Sequence, residues 1–174
     1  MSSTSRTLTG ERADLAETLA KHRAFLRFTA RDLTDEQAAS RSTVSALSVG
    51  GVIKHVTAVE QQWATFILDG PSSLGDWQDP DVLQRYLDGF RMLPGETLAG
   101  LLADYEVVGA RTDALLTTLP DLDVTQPLPE APWYEPGASW SARQVFLHIM
   151  AETAQHAGHA DSIRESIDGA KTMG

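Results

Sequence analysis

Apolar residues recur along this chain at three- and four-residue intervals, the spacing of one buried helix face, and no stretch shows the sustained alternation of a strand. The first such stripe is Leu15, Leu19, His22 or Arg23, Leu26 and Thr29. It predicts a helix from Glu11 to about Asp32, with Thr9 as its N-cap. Thr34 caps a short helical turn at Leu33-Thr34-Asp35-Glu36-Gln37, followed by a polar connector from Ala38 to Ser45. Ser48 then caps a second long helix, Val49 to Asp69, whose buried side is Val52, His55, Val56, Val59, Trp63 and Phe66. Gly70 to Gly95 is rich in Gly, Pro, Asp and Ser and reads as a long connection. Within it Asp79-Pro80, a cap followed by Pro at the first helical position, starts a short helix to Phe90. The third long helix runs from Glu96 or Thr97 to Leu119 on Leu98, Leu101, Leu102, Tyr105, Val108, Thr112, Leu115 and Leu119, and Pro120 ends it. Asp121 to Ala138, with Pro127, Pro129 and Pro132, is irregular and extended, and Trp133, Tyr134 and Trp140 are expected to pin it to the body by aromatic burial. The fourth helix starts near Ser139 or Ser141, where Ser141 and Gln144 have capping-box spacing, and reaches Asp168.

Four long amphipathic helices and two long connections predict an all-α four-helix bundle. At 174 residues the expectation is one domain spanning 1–174, with residues 1–8 as a disordered N-terminus. Trp63 and Trp140 are expected to be largely buried, Trp140 alternatively covering the mouth of a site.

The fourth helix carries the candidate chemistry. At about 100° per residue, His148, Glu152, His156 and His159 fall within an arc of about 80°, and Val145, Ile149 and Ile163 border it. That arc is expected to face the interior. Glu152 and His156, on adjacent turns, can present an oxygen and an imidazole nitrogen to one ion, with the third ligand coming from another helix. The competing explanation is plain hydrogen bonding of core histidines. His55, inside the apolar stripe of the second helix, needs a partner, and the fourth helix offers several. His22, between Lys21 and Arg23, reads as a surface or boundary residue.

The formal charge of −10, with no offsetting basic stripe, argues against nucleic acid or an anionic membrane surface as partner. There is no cysteine, which removes disulfides, thiolate ligands and a Cys nucleophile, so any thiol chemistry must use a thiol from outside. Without a leader-like N-terminus or an uncharged apolar run of ~18 residues, the expected location is the cytoplasm.

The runs LTDEQAASRSTVSALSVGGVIKHVTAVEQQW, ETLAGLLADYEVVGARTDALLTTL and WSARQVFLHIMAETAQHAGHADSIRESIDG together resemble the DinB-like proteins, in particular the branch near the mycothiol-dependent maleylpyruvate isomerase N-terminal domain. The resemblance spans about Glu11 to Gly169 and implies a DinB-like four-helix bundle. It also implies a divalent metal, zinc or nickel, between the second and fourth helices, on His55, Glu152 and His156. Family members use low-molecular-weight thiols such as mycothiol or bacillithiol. The implied reading is therefore a metal-dependent thiol transferase or thiol-dependent isomerase, with a small-molecule thiol and an electrophile as partners. His148 and His159 are the candidates to orient a ligand or move a proton. His159 is also a competing ligand in place of Glu152. The chain ends soon after the fourth helix, so the two-domain isomerase reaction is not the expectation. Two other classes stay open: a metal-dependent hydrolase, with Glu60 as a weak candidate base, and a non-catalytic, stress-related metal-binding bundle with spare faces for a homodimer.

Overall fold

The computed structural model describes residues 8–76 and 79–172. The expected disordered N-terminus thus lies outside the described residues except for Leu8. Among the described residues six α-helices follow one another as α1 Glu11–Thr29, α2 Asp35–Ala39, α3 Val49–Asp69, α4 Pro80–Asp88, α5 Leu98–Thr118 and α6 Ala142–Asp168. The long helices α1, α3, α5 and α6 form the bundle, with α3 packed on both α5 and α6, and α6 on α1. A short 3-10 turn at Gly70–Leu74 closes the end of α3, and two three-residue strands, β1 Thr125–Pro127 and β2 Ser139–Ser141, pair antiparallel.

Local chemistry sets most of the helix ends. The hydroxyls of Ser48, Thr97 and Ser141 each accept from the backbone N–H three residues on, Thr34 and Gln37 form a reciprocal capping box, and the Asp79 carboxylate accepts from the Asp81 N–H. The first helix departs from expectation at both ends. Its N-cap is Gly10, not Thr9, with no side-chain bond. It stops at Thr29 rather than Asp32, because Asp32 takes a left-handed backbone (φ 59°) that ends helical hydrogen bonding. Arg164 of α6 holds that turn by donating to the carbonyls of Thr29 and Arg31.

The core has two lobes. One gathers Leu19, Trp63, Phe66, Leu116, Phe146 and Ile149; the other gathers Leu26, Ile53, Val56, Tyr105, Ala160 and Ile163. Each large side chain removed from water in this way stabilises the fold by about 1.5 to 3 kcal/mol. The α1 stripe chooses Arg23, not His22, as its buried member, and His22 sits at the boundary. Between the lobes the fully buried Glu60 carboxylate accepts from Arg23 at 2.5 Å and 3.2 Å, and Arg23 reaches out to Asp113 at 2.8 Å.

The segment from 121 to 138 is not wholly irregular, because β1 lies within it. Gln126 and Trp140 pair across the ribbon while Gln126 Nε2 donates to the Ile67 carbonyl, so β1 ties the end of α3 to the start of α6. The ribbon lies on the surface of an all-α core. Trp63 is buried as expected, Tyr134 and Trp140 are half-buried, and Trp133 is 63% exposed. Tyr134 and Trp140 pack against the core and meet ring to ring with centroids 6.0 Å apart, so they pin the segment as expected, whereas Trp133, in the Pro-rich turn, stays largely exposed.

Gly50 and Gly51, at the start of α3, would each weaken a helix by roughly 0.5 to 1 kcal/mol relative to alanine. Packing explains them. A Cβ on Gly51 would collide with the Phe90 carbonyl, and one on Gly50 with Met92. The two glycines let the chain after α4 lie directly on α3. That close approach accompanies the stacking of Phe90 on His55.

Candidate metal centre

His55 projects from the middle of α3 and is only 7% exposed. Glu152 and His156 stand one turn apart on α6, which packs along α3. The rings of His55 and His156 meet edge to face with centroids 4.7 Å apart, and His156 Nε2 lies 3.5 Å from a Glu152 oxygen. One donor atom from each of the three residues falls within 4.8 Å of the others. No other such grouping of His, Asp and Glu occurs among the described residues.

The surroundings are aromatic. Phe90 stacks on His55 with centroids 4.2 Å apart and planes inclined by 22°, and Tyr86 meets it edge-on at 6.1 Å. On the other side, the His148 ring lies against Trp63 and Trp140, whose own rings stack at 4.8 Å. His148 Nε2 is 4.0 Å from Glu152, so His148 borders the cluster without joining it. His159 is exposed, and its ring meets that of His156 edge to face with centroids 5.5 Å apart. The arrangement therefore groups Glu152, not His159, with the two histidines.

The shared arc on α6 does not point into the interior as expected. Val145, Ile149, Ala157 and Ile163 take the inward direction, while the side chains of His148 and Glu152 keep 28% and 29% of their exposure. Ionisable groups settle at the edge of the core because full burial would strip their hydration. Here that edge is the wall of a cleft. It holds about 510 Å³ and is lined by His55, Trp63, Phe90, Trp133, His148 and Glu152 among others.

Burial, with the neighbouring His156 adding to it and Glu152 opposing it, pushes the His55 pKa down to about 4. Hydrogen bonding to His156 holds the Glu152 carboxyl below its usual range, against the opposing effect of burial. A neutral imidazole beside an ionised carboxylate is the protonation state a divalent cation requires of its ligands. His156 Nδ1 is buried with no hydrogen-bond partner among the described residues, a costly state for a core histidine. Nitrogen and oxygen donors, one negative charge and this unsatisfied imidazole all fit a divalent metal.

The low His55 pKa makes a prediction for the metal-free protein. The unfolded chain takes up a proton on this residue near pH 6.5 and the folded chain only near 4. Protons therefore favour the unfolded state in that window, and stability falls as the pH falls. Urea denaturation with chelator present should show a loss approaching about 3 kcal/mol between pH 7 and pH 4 from this residue, and His55→Gln should flatten the dependence by that amount.

Glu60, the candidate base of a hydrolytic site, faces away from the cleft and is locked to Arg23. A bidentate guanidinium partner and full burial remove it from proton transfer. The pattern of apolar positions gave no hint of Tyr86, Phe90 or Trp133 at the site, though the Gly50-Gly51 pair inside a helix start was a signal of close chain approach.

Among the described residues, no helix is long and apolar enough to cross a membrane. The chain resembles the solved crystal structure of "the conserved protein of locus from Enterococcus faecalis", at 15% identity and a TM-score of 0.67, over 94% of this chain and 100% of that one. At that identity the likeness shows the shared fold alone. No curated protein matches the chain. Residues 14–169 match the family described as Mycothiol-S-transferase, and with the bundle they form, the chain belongs to that DinB-like family.

Proposed function

We propose that this protein is a metal-dependent S-transferase that joins mycothiol to an electrophile, with His55, Glu152 and His156 holding a divalent ion, zinc before nickel. The observation that carries the reading is the convergence of two imidazoles and one carboxylate at the wall of an open cleft, in a chain without cysteine. Three protein ligands of this kind are typical of catalytic zinc sites, which keep a position for a further ligand, whereas closed structural sites are rich in cysteine. Family membership supports mycothiol as that ligand. When bound, such a cation would lower the pKa of a thiol and favour its reactive thiolate form.

The chain's own groups would then divide the work. Phe90 and Tyr86 cover His55 and fix its ring, so that the imidazole does not swing into water. Glu152 supplies the one full negative charge of the set. His148, against Trp63 and Trp140 and beside Glu152, would receive the proton that the thiol gives up, a role its nearness to the cluster supports. His159, exposed behind His156, is suited to orienting that ring rather than to touching substrate.

A conjugation assay tests the reading. Zinc-loaded protein should consume monochlorobimane only when mycothiol is present, and a chelator should stop it. Turnover without thiol, or conjugation that survives complete removal of metal, would overturn the proposal.

A further inference from the structure

Gln62 follows His55 on α3 by two turns, a rise of roughly 10 Å, at a bearing within about 20° of it around the helix axis. It is half-buried and lines the cleft beside the candidate metal cluster together with His55, Glu152 and His156. One bond fixes its orientation. Gln62 Nε2 donates at 2.8 Å to the carbonyl of Leu74, in the 3-10 turn that closes the end of α3. A backbone carbonyl can only accept, so the amide nitrogen must lie on that side and the oxygen is turned away from it. Oε1 accepts from no described residue. Holding the turn occupies one hydrogen of Nε2 and leaves the other, with both lone pairs of Oε1, to be satisfied from the cleft.

The rest of the wall narrows the partner. Among the described residues no lysine or arginine lines this cleft, and Glu152 adds a negative charge, so a free carboxylate or phosphate beside the sulfur would meet no cationic side chain of the usual kind. Gln155, from α6, brings a second carboxamide, exposed at the cleft and hydrogen-bonded to no described residue. Neutral groups that both donate and accept complement amides. We infer that Gln62 Oε1 accepts a hydrogen bond from an amide N–H of the thiol, the one on its sulfur-bearing residue, an inference that rests on the thiol-transferase reading above. A cysteinyl thiol acylated on nitrogen, as mycothiol is, carries that N–H next to the carbon chain that bears the sulfur. With the sulfur toward His55 and the acylated residue running along α3, the N–H reaches the stretch of wall that Gln62 occupies. Gln62 then fixes how the thiol lies and selects for the acylated class.

Binding tests this without any need for turnover. Calorimetry on the zinc-loaded full chain would compare mycothiol with the analogue in which an ester oxygen replaces the acetamide N–H. Both carry the same thiol, so any contribution of the metal cancels in their ratio. The wild type should bind the ester about tenfold more weakly, the scale of one hydrogen bond. Gln62→Met keeps the length of the side chain and removes its oxygen. It should bind mycothiol about tenfold more weakly than the wild type does and no longer distinguish the two ligands. A residue that only holds the turn at Leu74 would lower both affinities alike and leave their ratio at the wild-type value. Equal affinity of the wild type for amide and ester, a result that involves no variant, would overturn the inference while the thiol-transferase reading stands. So would a ratio that Gln62→Met leaves intact. If mycothiol does not bind the zinc-loaded wild type at all, that reading fails and the inference fails with it.

Discussion

Replacing His156 by alanine is expected to abolish tight binding of a divalent ion, because it removes one of only three donors and leaves a pair that cannot enclose a cation. His55→Ala should do the same from the opposite helix. His148→Ala and His159→Ala should weaken binding by ~10 to 100-fold at most, since their rings touch the cluster without joining it. Equilibrium dialysis against buffered zinc reads the difference. Glu152→Ala decides between the two arrangements of α6. If that variant keeps full occupancy while His159→Ala loses it, the carboxylate has been assigned wrongly. The fold should survive all five changes, because the side chains of Glu152 and His148 are partly exposed and none of these residues belongs to the two lobes of the core.

Arg23→Ala is expected to cost roughly 3 to 5 kcal/mol of stability, the penalty for leaving a buried charge uncompensated. Glu60 is fully buried, and both of its oxygens accept from the Arg23 guanidinium. Asp113 is half-exposed and can rehydrate, so the penalty falls on Glu60. The combined change Arg23→Met with Glu60→Leu should recover most of the loss, since apolar side chains of similar volume need no partner. Chemical denaturation of the single and double variants measures both values. Neither variant should alter zinc affinity, because the ion pair lies on the α1–α5 side of α3, away from the cluster.

Helix existence was legible because burial of one face imposes a 3.6-residue period, and α3 follows its predicted limits to the residue. Its ends were legible wherever a hydroxyl or carboxylate performs the capping, as at Ser48, Thr34, Asp79 and Ser141. Thr9 is not a cap, since Gly10 takes that position through its backbone alone and leaves no side-chain signal. The grouping of Glu152 with His156 came from spacing along one helix, and His55 was visible as an imidazole inside an apolar stripe. What the pattern could not supply was radial placement. Residues within one arc of α6 range from the inner cleft wall at His156 to open solvent at His159, and only the packing of α3 against α6 decides which is which. The aromatic cover is tertiary for the same reason. Phe90 stacks on His55 where Gly51 on α3 lets the Phe90 carbonyl approach closely, and Tyr86 arrives from α4.

We propose that the thiol's sulfur would bind at a metal carried by His55, Glu152 and His156. X-ray absorption at the zinc edge tests it most directly, because a chain without cysteine has no thiolate of its own to confuse the signal. The loaded protein alone should show only nitrogen and oxygen neighbours. Adding mycothiol should bring in one sulfur neighbour, and His156→Ala should remove the bound zinc altogether. A zinc environment that stays free of sulfur at saturating mycothiol would contradict the account.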